Sequence, residues 1–380
     1  MKNLIFFSIY PTPYRDPVMY NFAHLERDKY HVDFVYYHAY DIGHSYQDID
    51  LPEKNFTVLK YAEYRQCFRC IREIWNILSQ KKYDLILIPG HSRMPSIAAL
   101  IIASWKKIPI LYSSDEIADG KMSIFKKHRR HILTRTIIKI AAAFFVPGLA
   151  SKKYFCERGA RESSIFLGSY CLDVDALYKE ALEQSSSVPE LRKSLSAAPD
   201  DVLFMYAGRY LPVRDVLTLV KAFHKVRGCR ENIKLLLIGS GDDREKVLEY
   251  ISANRVQDVL FSDFIKLHEI GRYYLASDVY VLPSIFEHYS LACVHAAVCG
   301  LPIITTVNVG VNPDIIINGE SGHIIPSQDV DCLAAAMTDC IINSSRLKDM
   351  GKLAHDNAMK LNVSWATNEL RKAVSYCLSS

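Results

Sequence analysis

The sequence predicts an α/β protein of two doubly wound parallel-sheet domains, and three observations carry that expectation. Short apolar, β-branched-rich runs alternate with amphipathic segments along most of the 380 residues. The alternation lapses at 173–200, a more polar stretch containing Ser185-Ser186-Ser187 and Ala197-Ala198-Pro199, and restarts at Val202. The length suits two domains of ordinary size, each able to bury its own core.

In the first half, strands are expected at Asn3–Ile9, His31–Tyr37, Leu85–Pro89, Ile110–Tyr112, Ala143–Val146 and Ser164–Phe166. Helices are expected near Arg15–Leu25, Cys70–Gln80, Ser96–Lys106, Lys126–Ala141 and Leu149–Arg158. The second half opens with the buried strand Val202–Ala207. Lys234–Gly241 (KLLLIGSG) is a further strand, ending in Gly-x-Gly, and the apolar run Val259-Leu260-Phe261 follows. Val279–Thr306 then reads as strand, polar loop, short helix and strand. Val279–Leu282 and Ile303–Thr306 are the strands; Ser290 is a good N-cap before Leu291, Val294 and Val298, and Gly300 followed by Pro302 stops the helix. Glu287 therefore sits at the mouth of a strand-to-helix loop. The N–H groups of Ser290 and Leu291 face the same space, where the helix dipole favours phosphate oxygens.

Composition narrows the function classes. With 49% hydrophobic and 23% charged residues the chain is globular, and a net charge of +4 without any nucleic-acid motif argues against nucleic-acid binding. Ten cysteines are scattered singly through apolar segments, and the one Cys-x-x-Cys pair, Cys67 and Cys70, has no matching partner pair, so no metal site is expected. Reduced cytoplasmic thiols are the simpler account. Leu4–Ile9 is too short for a signal-peptide core, and Ser96–Trp105 and Thr136–Val146 are too short to span a bilayer.

Glu287 and His295 stand eight positions apart, followed by Ala296 and later Gly300-Leu301-Pro302, while Gly208-Arg209 and Arg214 follow directly on the strand at Val202–Ala207. This combination resembles the retaining family 4 glycosyltransferases, whose signature is Glu, seven residues, Glu, then Gly-x-Pro, together with a Gly-Arg-x-x-x-x-Lys phosphate clamp. The resemblance is dense from Asp201 to Pro326 and thin elsewhere. It departs from the family pattern at His295, which stands in place of the second acid, at Arg214 in the lysine place, and at Asp215 where glycine is usual.

The resemblance implies the GT-B architecture: two Rossmann-like doubly wound domains facing across a cleft, with a C-terminal helix crossing back to the N-terminal domain. Residues 1–175, joined by 362–380, would bind the acceptor, and 176–361 the nucleotide-sugar donor. Arg209, Arg214 and Glu287 would be catalytic, the arginines meeting the negative charge on the leaving diphosphate and Glu287 positioning the donor sugar. Gly208, Gly239, Ser290 and Leu291 would help hold the donor, with His295 substituting for the ribose-binding acid. Acceptor-side candidates are Arg15 in the loop after the first strand, His91 after Pro89-Gly90, and Asp115 and Glu116. The expected reaction moves a sugar from a nucleoside diphosphate sugar to a hydroxyl of a glycan or lipid-linked glycan in polysaccharide biosynthesis, with retention, without metal, and with no cofactor beyond the nucleotide-sugar co-substrate.

Lys121–Lys139 interleaves basic and apolar residues and reads either as a peripheral membrane contact at the inner face of the membrane or as a surface helix with one face in the core. Other readings of the whole chain are a metal-dependent transferase using Asp48-x-Asp50 or Asp173-x-Asp175, a nucleotide-sugar-binding subunit that needs a catalytic partner, and a nucleotide-sugar epimerase.

Overall fold

The computed structural model describes residues 1–39, 56–63, 66–118, 124–266 and 268–379, with nothing to be said of the side chains at 124–127. Asp48-x-Asp50 and the start of the basic 121–139 segment lie outside the described residues. The chain divides into two compact units, Met1–Asp173 with Asn362–Ser380, and Val174–Leu361.

The first unit is built on β1 (Lys2–Ser8), β2 (Tyr30–Tyr36), β3 (Phe56–Val58), β4 (Leu85–Pro89), β5 (Ile110–Ser113), β6 (Ala143–Val146) and β7 (Ile165–Leu167). These pair in parallel in the order β3-β2-β1-β4-β5-β6-β7. Alternate side chains of the strands feed two separate cores. On one face, Ile5, Phe7, Ile86 and Ile88 pack against α2 (Cys67–Ile77), α3 (Met94–Trp105), α4 (Ile124–Ile140) and α5 (Leu149–Cys156), through Ile74, Ile102, Ile137 and Phe155. On the other, Leu4, Phe6 and Leu87 pack against Phe22 of α1 (Asp16–Leu25) and Leu370 and Val374 of α15 (Val363–Ser379).

The long amphipathic segment at the C-terminal end thus covers the sheet of the first unit. Its approach is close: a Cβ at Gly168, where φ is +102°, would lie 2.8 Å from the Ala366 Cβ. Only glycine admits the helix there.

The second unit opens with α6 (Val174–Glu183) and α7 (Val188–Ser194). The polar stretch expected as connection plus helix therefore holds two helices. Then come β8 (Val202–Ala207), α8 (Val216–Arg227), β9 (Ile233–Ile238), α9 (Arg244–Asn254), β10 (Val259–Ser262), α10 (Gly271–Ala276), β11 (Val279–Leu282), α11 (Leu291–Val298), β12 (Ile303–Thr306), α12 (Asn312–Ile315), β13 (Gly322–Ile325), α13 (Val330–Ile342) and α14 (Leu347–Ala358). The six strands are parallel, in the order β10-β9-β8-β11-β12-β13. In both sheets the winding reverses beside the first strand, between β1 and β4 and between β8 and β11. Open parallel sheets bind ligands at the carboxyl ends of the strands at such a reversal.

Candidate functional site

In the second unit, the loops leaving β8 and β11 meet at the reversal of the sheet. All six residues of β8 are buried, and the strand runs directly into Gly208 and Arg209. Gly239, at the end of β9, has φ +122°, and a Cβ on it would overlap the Gly208 carbonyl oxygen. Gly241, with φ +147°, lies just as close to the backbone of Tyr210, whose nitrogen would be 2.8 Å from an added Cβ. The Gly-x-Gly pair thereby lets two loop backbones touch, and the Gly208 and Tyr210 N–H groups donate to the Ile238 and Ser240 carbonyls at 3.0 and 2.8 Å. Tyr210 is fully buried and Tyr206 donates its hydroxyl to the Arg209 carbonyl at 2.8 Å. The backbone of Arg209 is fixed while its side chain remains exposed.

The chain next makes a 3-10 turn at Pro212–Arg214, and Asp215 takes a left-handed φ of +49° before α8 begins. The resemblance has glycine there. Aspartate is among the few other residues that visit this conformation.

Opposite, β11 leads into residues 283–290. The Ile285 N–H donates to the Val213 carbonyl at 2.8 Å and so joins this loop to the one after β8. Arg214 reaches across with its Nη1, which lies 3.5 Å from the Ser284 hydroxyl and forms an ion pair with Glu287. Glu287 is gripped through its backbone: its N–H donates to the Asn308 carbonyl at 3.1 Å, and its carbonyl accepts from the Gly310 N–H at 2.9 Å. Behind it, the Asn308 side chain donates to the Ile285 carbonyl at 3.0 Å and Thr306 donates to the Ser284 carbonyl at 2.5 Å. The side chains of Arg214 and Glu287 are 27% and 15% exposed, so the pair lies at the rim and not in the core. Ser284 and Asn308 were not found from sequence; the one available signal was that each stands two residues beyond the end of a buried strand.

Helix α11 begins at the expected cap. The Ser290 Oγ accepts the Cys293 N–H at 3.2 Å, leaving the Leu291 N–H in the first turn, where α-helices provide no internal acceptor. Cys293 lies in the helix, whereas Cys299 is its C-cap residue and not inside it. His295 is 4% exposed, with its ring 4.7 Å from that of Tyr274 on α10. Burial lowers its pKa to about 4, so His295 is a neutral, packed imidazole.

The candidates of the first unit are held by different partners. In the loop after β1, the Arg15 guanidinium stands over the rings of Tyr14 and Tyr170, 5.5 and 4.9 Å from their centroids. It donates from Nη2 to the Tyr170 hydroxyl at 3.2 Å, and that hydroxyl donates to Asp115 at 3.0 Å. Arg15 and Asp115 are thus brought together through Tyr170, a residue that no sequence pattern singled out. His91 is held by the Tyr112 hydroxyl at 2.7 Å. Glu116 is buried and paired with Arg130 at 3.0 Å. Next to Arg15, the buried Asp16 accepts the Thr12 N–H at 2.6 Å, and burial pushes its carboxyl up to about 7.

Among the described residues, no group of three or more His, Cys, Asp or Glu side chains could hold a metal ion. All ten cysteines are free thiols. No described helix is long and apolar enough to cross a membrane.

Two doubly wound units, with cations and a carboxylate at the reversal of the second sheet, define an α/β protein of the GT-B glycosyltransferase architecture. Residues 187–356, within the second unit, match the family model described as Glycosyl transferases group 1. Spore coat protein SA of Bacillus subtilis (strain 168) is 30% identical over 186 residues, 46% of this chain and 48% of that protein. The lipopolysaccharide 1,2-N-acetylglucosaminetransferase of Salmonella typhimurium (strain LT2) is 25% identical over 194 residues, 48% of each chain. The chain thus spans about half the length of the curated relatives it matches. Similar solved structures include Anabaena HepE in complex with UDP, with a TM-score of 0.73 at 16% identity, covering 99% of this chain and 100% of that one. Sucrose-phosphate synthase from Thermosynechococcus elongatus gives 0.72 at 17% identity, covering 99% and 98%. At such identities these two establish the fold alone.

Proposed function

We propose that the protein is a retaining, metal-independent glycosyltransferase that moves a sugar from a nucleoside diphosphate sugar to a hydroxyl of a glycan or lipid-linked glycan in polysaccharide biosynthesis. The observation that carries this reading is the pairing of Arg214 with Glu287 across the reversal of the second sheet, with Arg209 exposed in the loop before it, within the segment that matches the group 1 glycosyltransferase model. When the sugar–phosphate bond breaks, negative charge grows on the leaving diphosphate. Two permanently charged guanidinium groups and the N–H groups at the start of α11 meet that charge without reorganising. Donor binding draws Arg214 from Glu287 onto phosphate, and the released carboxylate accepts hydrogen bonds from hydroxyls of the donor sugar. The departing phosphate takes the acceptor proton, so no separate protein base is assigned. Arg15, Asp115 and His91 face the acceptor in the first unit. His295 leaves ribose recognition to other groups, because its ring is packed on Tyr274.

The burial of His295 also favours a second reading, a nucleotide-sugar-binding subunit with weak or no turnover of its own. Incubation with a panel of nucleotide sugars, with and without a lipid-linked acceptor and in excess chelator, separates the two. Release of nucleoside diphosphate that depends on acceptor supports transfer. Binding without release supports the second reading, and loss of release in chelator removes metal independence.

A further inference from the structure

The outer surface of the first unit carries an apolar patch that neither sheet nor core explains. On α2 the buried residues Cys70, Ile74 and Ile77 form the inward stripe. Phe68, Ile71 and Trp75, spaced i, i+3, i+7 along the neighbouring outer flank, are 85%, 38% and 39% exposed. On the adjoining α3, Ile101 and Trp105 are 64% and 70% exposed. The rings of Trp75 and Trp105 are 5.1 Å apart, so the two stripes are one continuous surface. Isolated exposed apolar residues are ordinary, but a contiguous aromatic patch marks an interaction site.

The charges around the patch are mostly basic. The Lys106 ammonium sits 4.6 Å from the Trp75 ring centroid and 6.0 Å from that of Trp105, and Arg69, Arg72 and Lys107 are exposed on the same two helices or directly after them. The sequences of α2, α3 and α4 contain a single acid, Glu73. Its two oxygens already accept the Lys60 and Tyr61 N–H groups at 3.0 and 3.1 Å. On α4, which packs on the same face of the sheet, Arg129, Ile132, Leu133, Arg135 and Lys139 are exposed. A second copy of this surface would bring like charge against like charge, and lysine is depleted from protein interfaces. Tryptophan and phenylalanine ringed by lysine and arginine instead match the chemistry of a bilayer boundary, where indole rings sit at headgroup depth and cations meet lipid phosphates.

We propose that the α2–α3 face docks on an anionic lipid bilayer, with Phe68, Trp75 and Trp105 entering the headgroup region and Arg69, Arg72, Lys106 and Lys107 meeting phosphates around them. The basic helix α4 extends this surface. The inference does not depend on glycosyl transfer, and its test reads lipid binding alone.

The full chain is sedimented with vesicles of phosphatidylcholine and phosphatidylglycerol in equal parts, and with vesicles of phosphatidylcholine alone. Binding is expected to be at least ~10-fold tighter to the anionic vesicles and to weaken with added salt. Two of the three tryptophans lie in the patch, so tryptophan emission should shift to the blue on binding. Phe68→Ser with Trp105→Ser should weaken binding by about tenfold or more while leaving thermal unfolding unchanged. Lys106→Glu with Lys107→Glu, a change confined to charge, should do the same if the serine pair fails to fold. The proposal is overturned if the wild-type protein ignores anionic vesicles. It is equally overturned if both double variants bind as wild type does, or if the patch proves to hold two copies together in solution and the serine pair separates them.

Discussion

The loops after the first strand of each sheet, Ile9–Arg15 and Gly208–Asp215, occupy equivalent places in the same topology and are built in opposite ways. After β1 the loop is filled by its own side chains. Tyr14 and Tyr170 cover Arg15, Tyr170 fastens it to Asp115, and a carboxyl is buried at Asp16. After β8 the space is kept by omission, since Gly239 and Gly241 let backbones touch and leave Arg209 exposed. A doubly wound sheet therefore supplies the place for a site, and the loop composition decides whether that place is open to a phosphate or occupied by the protein.

The largest expected effect that would break this contrast is on turnover. Arg214→Ala should reduce nucleoside diphosphate release by ~100-fold, measured by a coupled release assay with the wild type's preferred donor; a loss smaller than about threefold would remove Arg214 from the transition state. Next come the glycines. Gly239→Ala should cost about 3 kcal/mol or more in urea unfolding, because its added carbon overlaps the Gly208 carbonyl. Gly90→Ala, in the loop after β4, should cost only about 1 kcal/mol, because no atom lies within 4 Å of the added carbon and only the φ of +58° opposes it. Equal losses at the two positions would show that close backbone approach is not what distinguishes the loops.

Proton linkage sharpens the comparison, with opposite signs in the two units. His295 has its folded pKa lowered to about 4, so the unfolded chain takes up a proton first as pH falls. Stability present above about 6.5 is lost on descending toward 4, by about 3 kcal/mol at pH 4.5. His295→Gln should flatten that slope in urea titrations at pH 7.5 and 4.5. Asp16 has its folded pKa raised to about 7, so its neutral form is fully tolerated below about 4 and its ionisation weakens the fold as pH rises through 7. Asp16→Asn, which keeps an oxygen for the Thr12 N–H, should gain on wild type steadily over that window. As small as the Gly90→Ala effect is that of Tyr170→Phe, which removes the hydroxyl between Arg15 and Asp115 at a cost of about 1 kcal/mol. It should raise the acceptor KM more than it lowers kcat.

The regular parts of the fold were legible where burial was complete. Leu85–Pro89, Ala143–Val146, Val279–Leu282 and Ile303–Thr306 form strands with the expected bounds, because a short, wholly buried run between turn residues has few alternatives. The cap at Ser290 was legible for a local reason, a hydroxyl three residues before the N–H it accepts. The edge strand Phe56–Val58 was not anticipated, since three half-exposed residues show no alternation. Helices α2 and α3 begin earlier than apolar periodicity suggested; Pro95 near the start of α3 was the overlooked start signal. Contacts distant in sequence were beyond reach. Nothing near Arg15 points to Tyr170, 155 positions away, and the packing of His295 on Tyr274 joins two residues on different helices. The left-handed Asp215 was visible as an aspartate in a glycine position, although its geometry required the structure.

Helix α15 lays Ala366, Leu370, Ala373 and Val374 into the core of the unit that begins the chain. On the ribosome, that face of the sheet waits with α1 but without α15 while the whole of Val174–Leu361 is made and can fold. The earlier-synthesised unit is thus the later to mature. Shortening the chain at its far end should disable its beginning first, and nascent chains stalled before residue 363 are where a chaperone would find exposed apolar surface to hold.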